Sequence, residues 1–90
     1  MMDDDHMNIL AITQMMSMRG KKLDGAIGGN QGIECIQKRA DMFTQGVPMY
    51  KLILLDQRMQ DADGLHIARV ITELLSNMRI EKPFICCFTS

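Results

Sequence analysis

Asp56 closes the apolar run Tyr50-Lys51-Leu52-Ile53-Leu54-Leu55, and three more carboxylates, Asp3, Asp4 and Asp5, crowd the amino end of the chain. Clustered carboxylates repel one another, and a hard divalent cation relieves that repulsion. Mg²⁺ takes one or two carboxylates and completes its shell with water or phosphate oxygens. A carboxylate beside such an ion can attack phosphorus and become an aspartyl phosphate. Thr89 follows a second apolar run, Phe84-Ile85-Cys86-Cys87-Phe88, and adds a hydroxyl. These residue types suit metal-assisted phosphoryl chemistry, provided that the fold brings them to one place.

Strands and helices must do that positioning. Residues 50–55 are almost continuously apolar, as in a parallel strand covered on both faces, and 84–88 read the same way after Pro83. Ile9, Ile12 and Met16 recur at helical spacing within 8–18, with Asp5 placed as a cap and Gly20 as a stop. Residues 22–27 read as a brief strand weakened by Gly25. Asn30 is placed to cap a second helix, in which Ile33, Ile36, Ala40 and Phe43 share a face; Gly46 and Pro48 close it. From Gly64 a third helix carries the stripe Ile67, Ile71, Leu74 and Met78. Regular alternation of helix and strand predicts βαβ units, a parallel sheet and flanking helices. Ligands of such sheets bind outside the carboxyl ends of the strands, which is where Asp3–Asp5, Asp56 and Thr89 fall.

Bulk properties narrow the function. Ninety residues make one small domain. A net charge of −1 and 4% aromatic residues supply neither a basic field nor stacking platforms, so nucleic acid is not expected as a direct partner. The start of the chain is acidic, unlike a signal peptide, and no apolar run approaches the roughly 18 residues of a membrane span, so a cytoplasmic protein with no membrane contact is expected. Cys35, Cys86 and Cys87 lack metal-ligand spacing and read as reduced core thiols. The ten methionines, scattered from Met1 to Met78, read as core filler. His6 and His66 read as surface residues.

Taken together, Asp3-Asp4, Asp56, Met59, Asp63-Gly64 and Thr89-Ser90 resemble the motif of the receiver domains of two-component response regulators, over essentially the whole chain. Asn8 and the 23–29 segment also fall at that family's spacing. The resemblance implies a flavodoxin-like parallel sheet flanked by helices, and a phosphorelay module that takes a phosphoryl group from a histidine kinase or a histidine phosphotransfer protein onto Asp56. It implies that Mg²⁺ is held by Asp4, by Asp3 through water, by Asp56 and by the main-chain carbonyl of Arg58, and that Thr89 hydrogen-bonds the phosphoryl oxygens. The acidic pair is Asp3-Asp4 or Asp4-Asp5; Asp4 belongs to it in either register. Such a module is no enzyme beyond catalysing its own phosphorylation.

The chain departs from the family pattern in several places. Gln60 replaces a usual proline, Gly28 a commonly polar residue and Ala62 a commonly larger apolar one; Gly28 and Ala62 read as remote from the metal site. Residues 1–90 read as a partial receiver domain lacking the first strand and the last helix-strand-helix, with roughly 32 residues missing at mean element lengths. A missing central strand leaves its neighbours unpaired and the fold poorly supported. The alternative function is a phosphorylation-independent interaction module. A hydrolase of the aspartyl-nucleophile type is set aside, because Arg58 stands where its second acid belongs.

Overall fold

A computed structural model describes residues 1–88; Thr89 and Ser90 lie outside the described residues. Among the described residues the elements are β1 (Met2–Asp3), α1 (His6–Met18), β2 (Ala26–Ile27), α2 (Gly29–Phe43), β3 (Leu52–Asp56), α3 (Gly64–Asn77) and β4 (Phe84–Phe88). The strands form one parallel sheet in the order β2-β1-β3-β4. This is an α/β arrangement that fits an incomplete flavodoxin-like fold.

The gap expected at the centre of the sheet is filled. Met2 and Asp3 pair with Ala26 and Ile27 on one side, and Met2 pairs with Leu55 on the other. β2 and β3 therefore do not meet, contrary to the expectation that the first strand is absent. Two residues cannot display an alternating pattern, so nothing in the local sequence announces β1. It is nevertheless firmly embedded, with Met2 3% and Asp3 0% exposed.

The chain steps one way from β1 to β2, then reverses to reach β3 and β4. With right-handed crossovers, that reversal puts α1 on one face of the sheet and α2 and α3 on the other. The main core lies on the α2–α3 face, where Ile53 and Leu55 pack with Ile36, Ala40, Ile67 and Ile71. Full burial of each large aliphatic side chain contributes about 1.5–3 kcal/mol. The stripe on α3 is rotated slightly from expectation: Leu75 is buried, whereas Leu74 and Met78 pack partly against the core. No helix of the described residues is long and apolar enough to cross a membrane.

Two further expectations change. Cys86 and Cys87 are exposed, because β4 is an edge strand and little packs on either of its faces among the described residues. Leu52, at 45%, and Phe84, at 72%, extend the same open sheet surface. Of the methionines, Met2 and Met59 are core residues, whereas Met7, Met15, Met18 and Met42 are exposed. At the opposite end of the sheet from the acidic residues, Asp24 ties α2 down. Its Oδ2 accepts from the Tyr50 hydroxyl at 2.6 Å and from Arg39 Nη2 at 3.1 Å, and the Arg39 guanidinium lies 4.6 Å above the Tyr50 ring.

Candidate metal centre

The reversal of crossover direction falls between β1 and β3, so their carboxyl ends flank the crevice where open α/β sheets bind ligands. Asp3 ends β1 fully buried. Its Oδ1 accepts the Asp5 N–H at 2.9 Å, and its Oδ2 accepts the Asn8 side-chain amide at 3.3 Å. Asp4 is less enclosed, and its Oδ2 accepts the Gln60 N–H at 3.1 Å. Asp56 ends β3 and is 1% exposed; its Oδ1 accepts the Arg58 N–H at 3.2 Å.

One carboxylate oxygen from each of Asp3, Asp4 and Asp56 lies within 4.8 Å of the other two. The donor set is entirely hard oxygen, which suits a hard cation. Asp5 is not part of it. Its Oδ1 accepts the Met7 N–H at 3.0 Å and caps α1, so the structure gathers Asp3 and Asp4 and turns Asp5 outward.

The electrostatics show a site with excess negative charge. Burial pushes the Asp56 carboxyl above the usual carboxylate range; a hydrogen bond shared with Asp3 and the charges of Asp3 and Asp4 push the same way, while the Arg58 N–H opposes them. A divalent ion among these oxygens reverses the balance, since it favours the charged form of every carboxylate around it.

The loop after Asp56 is tightly joined to the strand end. A Cβ at residue 64 would stand 2.6 Å from the Asp56 carbonyl oxygen, so glycine is required for α3 to begin directly against β3. Asp63 caps that helix, its Oδ1 accepting the Leu65 N–H at 2.8 Å. Arg58 pairs in an isolated bridge with Asp63, which fixes its main chain beside the cluster. Met59 is buried in the core, 8% exposed, and anchors the loop from below. β4 runs in register with β3 as far as Phe88, the partner of Asp56; Thr89 follows it and lies outside the described residues. His6 and His66 are exposed and take no part in the cluster.

Asp61 also takes part here, although no motif in the sequence announces it. Asn30, expected as the cap of α2, lies inside the helix, and the N-cap is Gly28, which has no side chain to offer. Instead Asp61, from the loop after β3, accepts the Gly29 N–H on Oδ1 at 3.0 Å and the Asn30 N–H on Oδ2 at 2.8 Å. An exposed aspartate in a polar loop gives no local signal of a partner more than thirty residues away.

Among curated proteins, 83 residues of the chain, 92% of it, are 29% identical to hybrid signal transduction histidine kinase B of Dictyostelium discoideum. The chain is similar to a small part of a histidine kinase. The match spans 4% of that protein's length. No family profile matches the chain, and no solved structure matches it.

Proposed function

We propose that this chain is a phosphoacceptor module of a two-component phosphorelay, in which Asp56 takes a phosphoryl group from a phosphohistidine with Mg²⁺ in the acidic site. The observation that carries this reading is the convergence of Asp3, Asp4 and Asp56 at the crevice between β1 and β3. Similarity to a protein named as a hybrid signal transduction histidine kinase supports it and makes a histidine kinase or histidine phosphotransfer protein the expected partner.

Asp4, Asp3, Asp56 and the Arg58 carbonyl are the groups proposed to hold the ion, directly or through water. When bound, Mg²⁺ neutralises the carboxylates and the incoming phosphoryl oxygens. Asp56 contributes the nucleophile: a carboxylate oxygen forms the new O–P bond as the N–P bond of the phosphohistidine breaks, and the departing imidazole nitrogen keeps the electron pair. Burial of Asp56 and the Arg58 N–H on its Oδ1 hold the carboxylate in one orientation, which supplies positioning rather than acid–base chemistry. Thr89 is proposed to hydrogen-bond the transferred group. The chain is then substrate and catalyst together, acting in the cytoplasm.

A beryllofluoride adduct tests this reading. With Mg²⁺ present, beryllofluoride should shift the amide resonances of residues 57–63 in wild type and leave Asp56→Asn unchanged. Shifts that persist in Asp56→Asn, or that do not need Mg²⁺, overturn it.

A further inference from the structure

Three residues that depart from the receiver pattern, Gly28, Gln60 and Ala62, surround a single contact. Asp61 places one carboxylate oxygen on the Gly29 N–H and the other on the Asn30 N–H. A helix amino terminus attracts a carboxylate, and here the carboxylate comes from another segment of the chain. Gly28 has φ 88°, a conformation that suits glycine, and a Cβ there would stand 3.1 Å from Asp61 Oδ2. A Cβ at Gly29 would meet the Ala62 methyl at an ordinary contact distance of 3.5 Å, so residue 62 sits beside the amino end of α2. The preceding residue, Gln60, gives its N–H to Asp4 Oδ2, a bond that proline cannot make. Consecutive residues of one loop thus grip α2 and the acidic cluster.

We propose that Asp61 is a positioning residue for the metal centre: by fastening the β3–α3 loop to the amino end of α2, it holds the Gln60 N–H on Asp4 and the Arg58 main chain beside Asp56. The clamp does the work of the usual proline by hydrogen bonding instead of by ring constraint. Gly28 makes room for it, so that departure bears on the metal site after all. This inference rests on the metal-binding reading above.

The test uses the whole chain with Asp61→Ala, reading amide hydrogen exchange and Mg²⁺ affinity by NMR titration. Exchange at Gln60, Gly29 and Asn30 should quicken about tenfold, the effect typical of losing a capping side chain. Mg²⁺ affinity should weaken about tenfold, as it does when an outer partner of a metal ligand is removed. Core amides of β3 should remain protected. Asp61→Asn, which keeps one acceptor oxygen, should fall between wild type and Asp61→Ala. If Asp61→Ala does not fold, Asp61→Asn decides the matter through the same two readouts. Unchanged exchange at Gln60 overturns the proposal; so does faster exchange with unaltered Mg²⁺ affinity, which would mark the contact as structural only. If wild type binds no Mg²⁺, the metal-binding reading fails, and exchange at Gln60 alone then decides whether Asp61 anchors the loop.

Discussion

Replacing Asp4 by asparagine should make the metal-free protein more stable and the Mg²⁺-loaded protein less stable than wild type. The substitution is nearly isosteric, and its amide oxygen can still accept the Gln60 N–H, so the main change is one negative charge. At 4.8 Å, two unit charges in an effective dielectric near 20 repel by about 3.5 kcal/mol. Asp4 faces two such neighbours, but it is the most exposed of the three carboxylates, and solvent and salt screen most of that repulsion. A net gain of about 1 kcal/mol in metal-free buffer is expected, which raises Tm by roughly 4–8 °C for a domain of this size. With Mg²⁺ at a hundred times its Kd, wild type gains about 2.7 kcal/mol that the variant largely forgoes, so the order inverts. Urea unfolding followed by circular dichroism, in chelator and in Mg²⁺ at matched ionic strength, measures both. A variant less stable than wild type under both conditions, or a wild-type midpoint indifferent to Mg²⁺, refutes the reasoning.

Other predictions follow from the same geometry. Gly64→Ala forces a methyl group against the Asp56 carbonyl and the Gln57 main chain and should cost about 1–3 kcal/mol, read as a lower urea midpoint at unchanged m-value. Tyr50 is the chain's one tyrosine and there is no tryptophan, so its ionisation is readable by ultraviolet absorbance. Burial, with the hydrogen bond to Asp24 second, pushes it up to about 12, and Asp24→Asn should bring the titration back toward 10. Because the Asp56 carboxyl is raised in the folded state, that state holds its proton at pH values where the unfolded chain has lost it. Metal-free stability should therefore fall as pH rises through the folded value, and Asp56→Asn should remove that slope. Asp61 has the opposite sign: its carboxyl is held low, chiefly by the Asn30 and Gly29 N–H groups, and its contribution disappears as pH falls through the folded value.

The long periodic elements were legible from the chain. The stripes at Ile36 and Ala40 and at Ile67 and Ile71 mark faces that bury, and the run ending on Asp56 marks a central strand with its carboxylate at the ligand edge. What was not legible depends on partners distant in sequence. β1 is two residues long and exists because β2 and β3 flank it, so no pattern within it can reveal it. Cys86 and Cys87 sit in an apolar run that reads as doubly covered, yet covering is a property of neighbouring elements, and the edge position of β4 among the described residues leaves both thiols exposed. Gly28, taken alone, reads as a neutral replacement. Its close neighbour is the Asp61 carboxylate, which comes from the loop after β3 and bonds the first N–H groups of α2.

The central claim is that Asp56 is a nucleophile toward phosphorus in a site that Mg²⁺ completes. Intact-mass measurement after incubation with a small phosphodonor tests it most directly. Wild type should gain one phosphoryl group when Mg²⁺ is present and none in chelator, with the label mapping to Asp56 and absent from Asp56→Asn. Labelling that ignores Mg²⁺, or that survives in Asp56→Asn, contradicts the account.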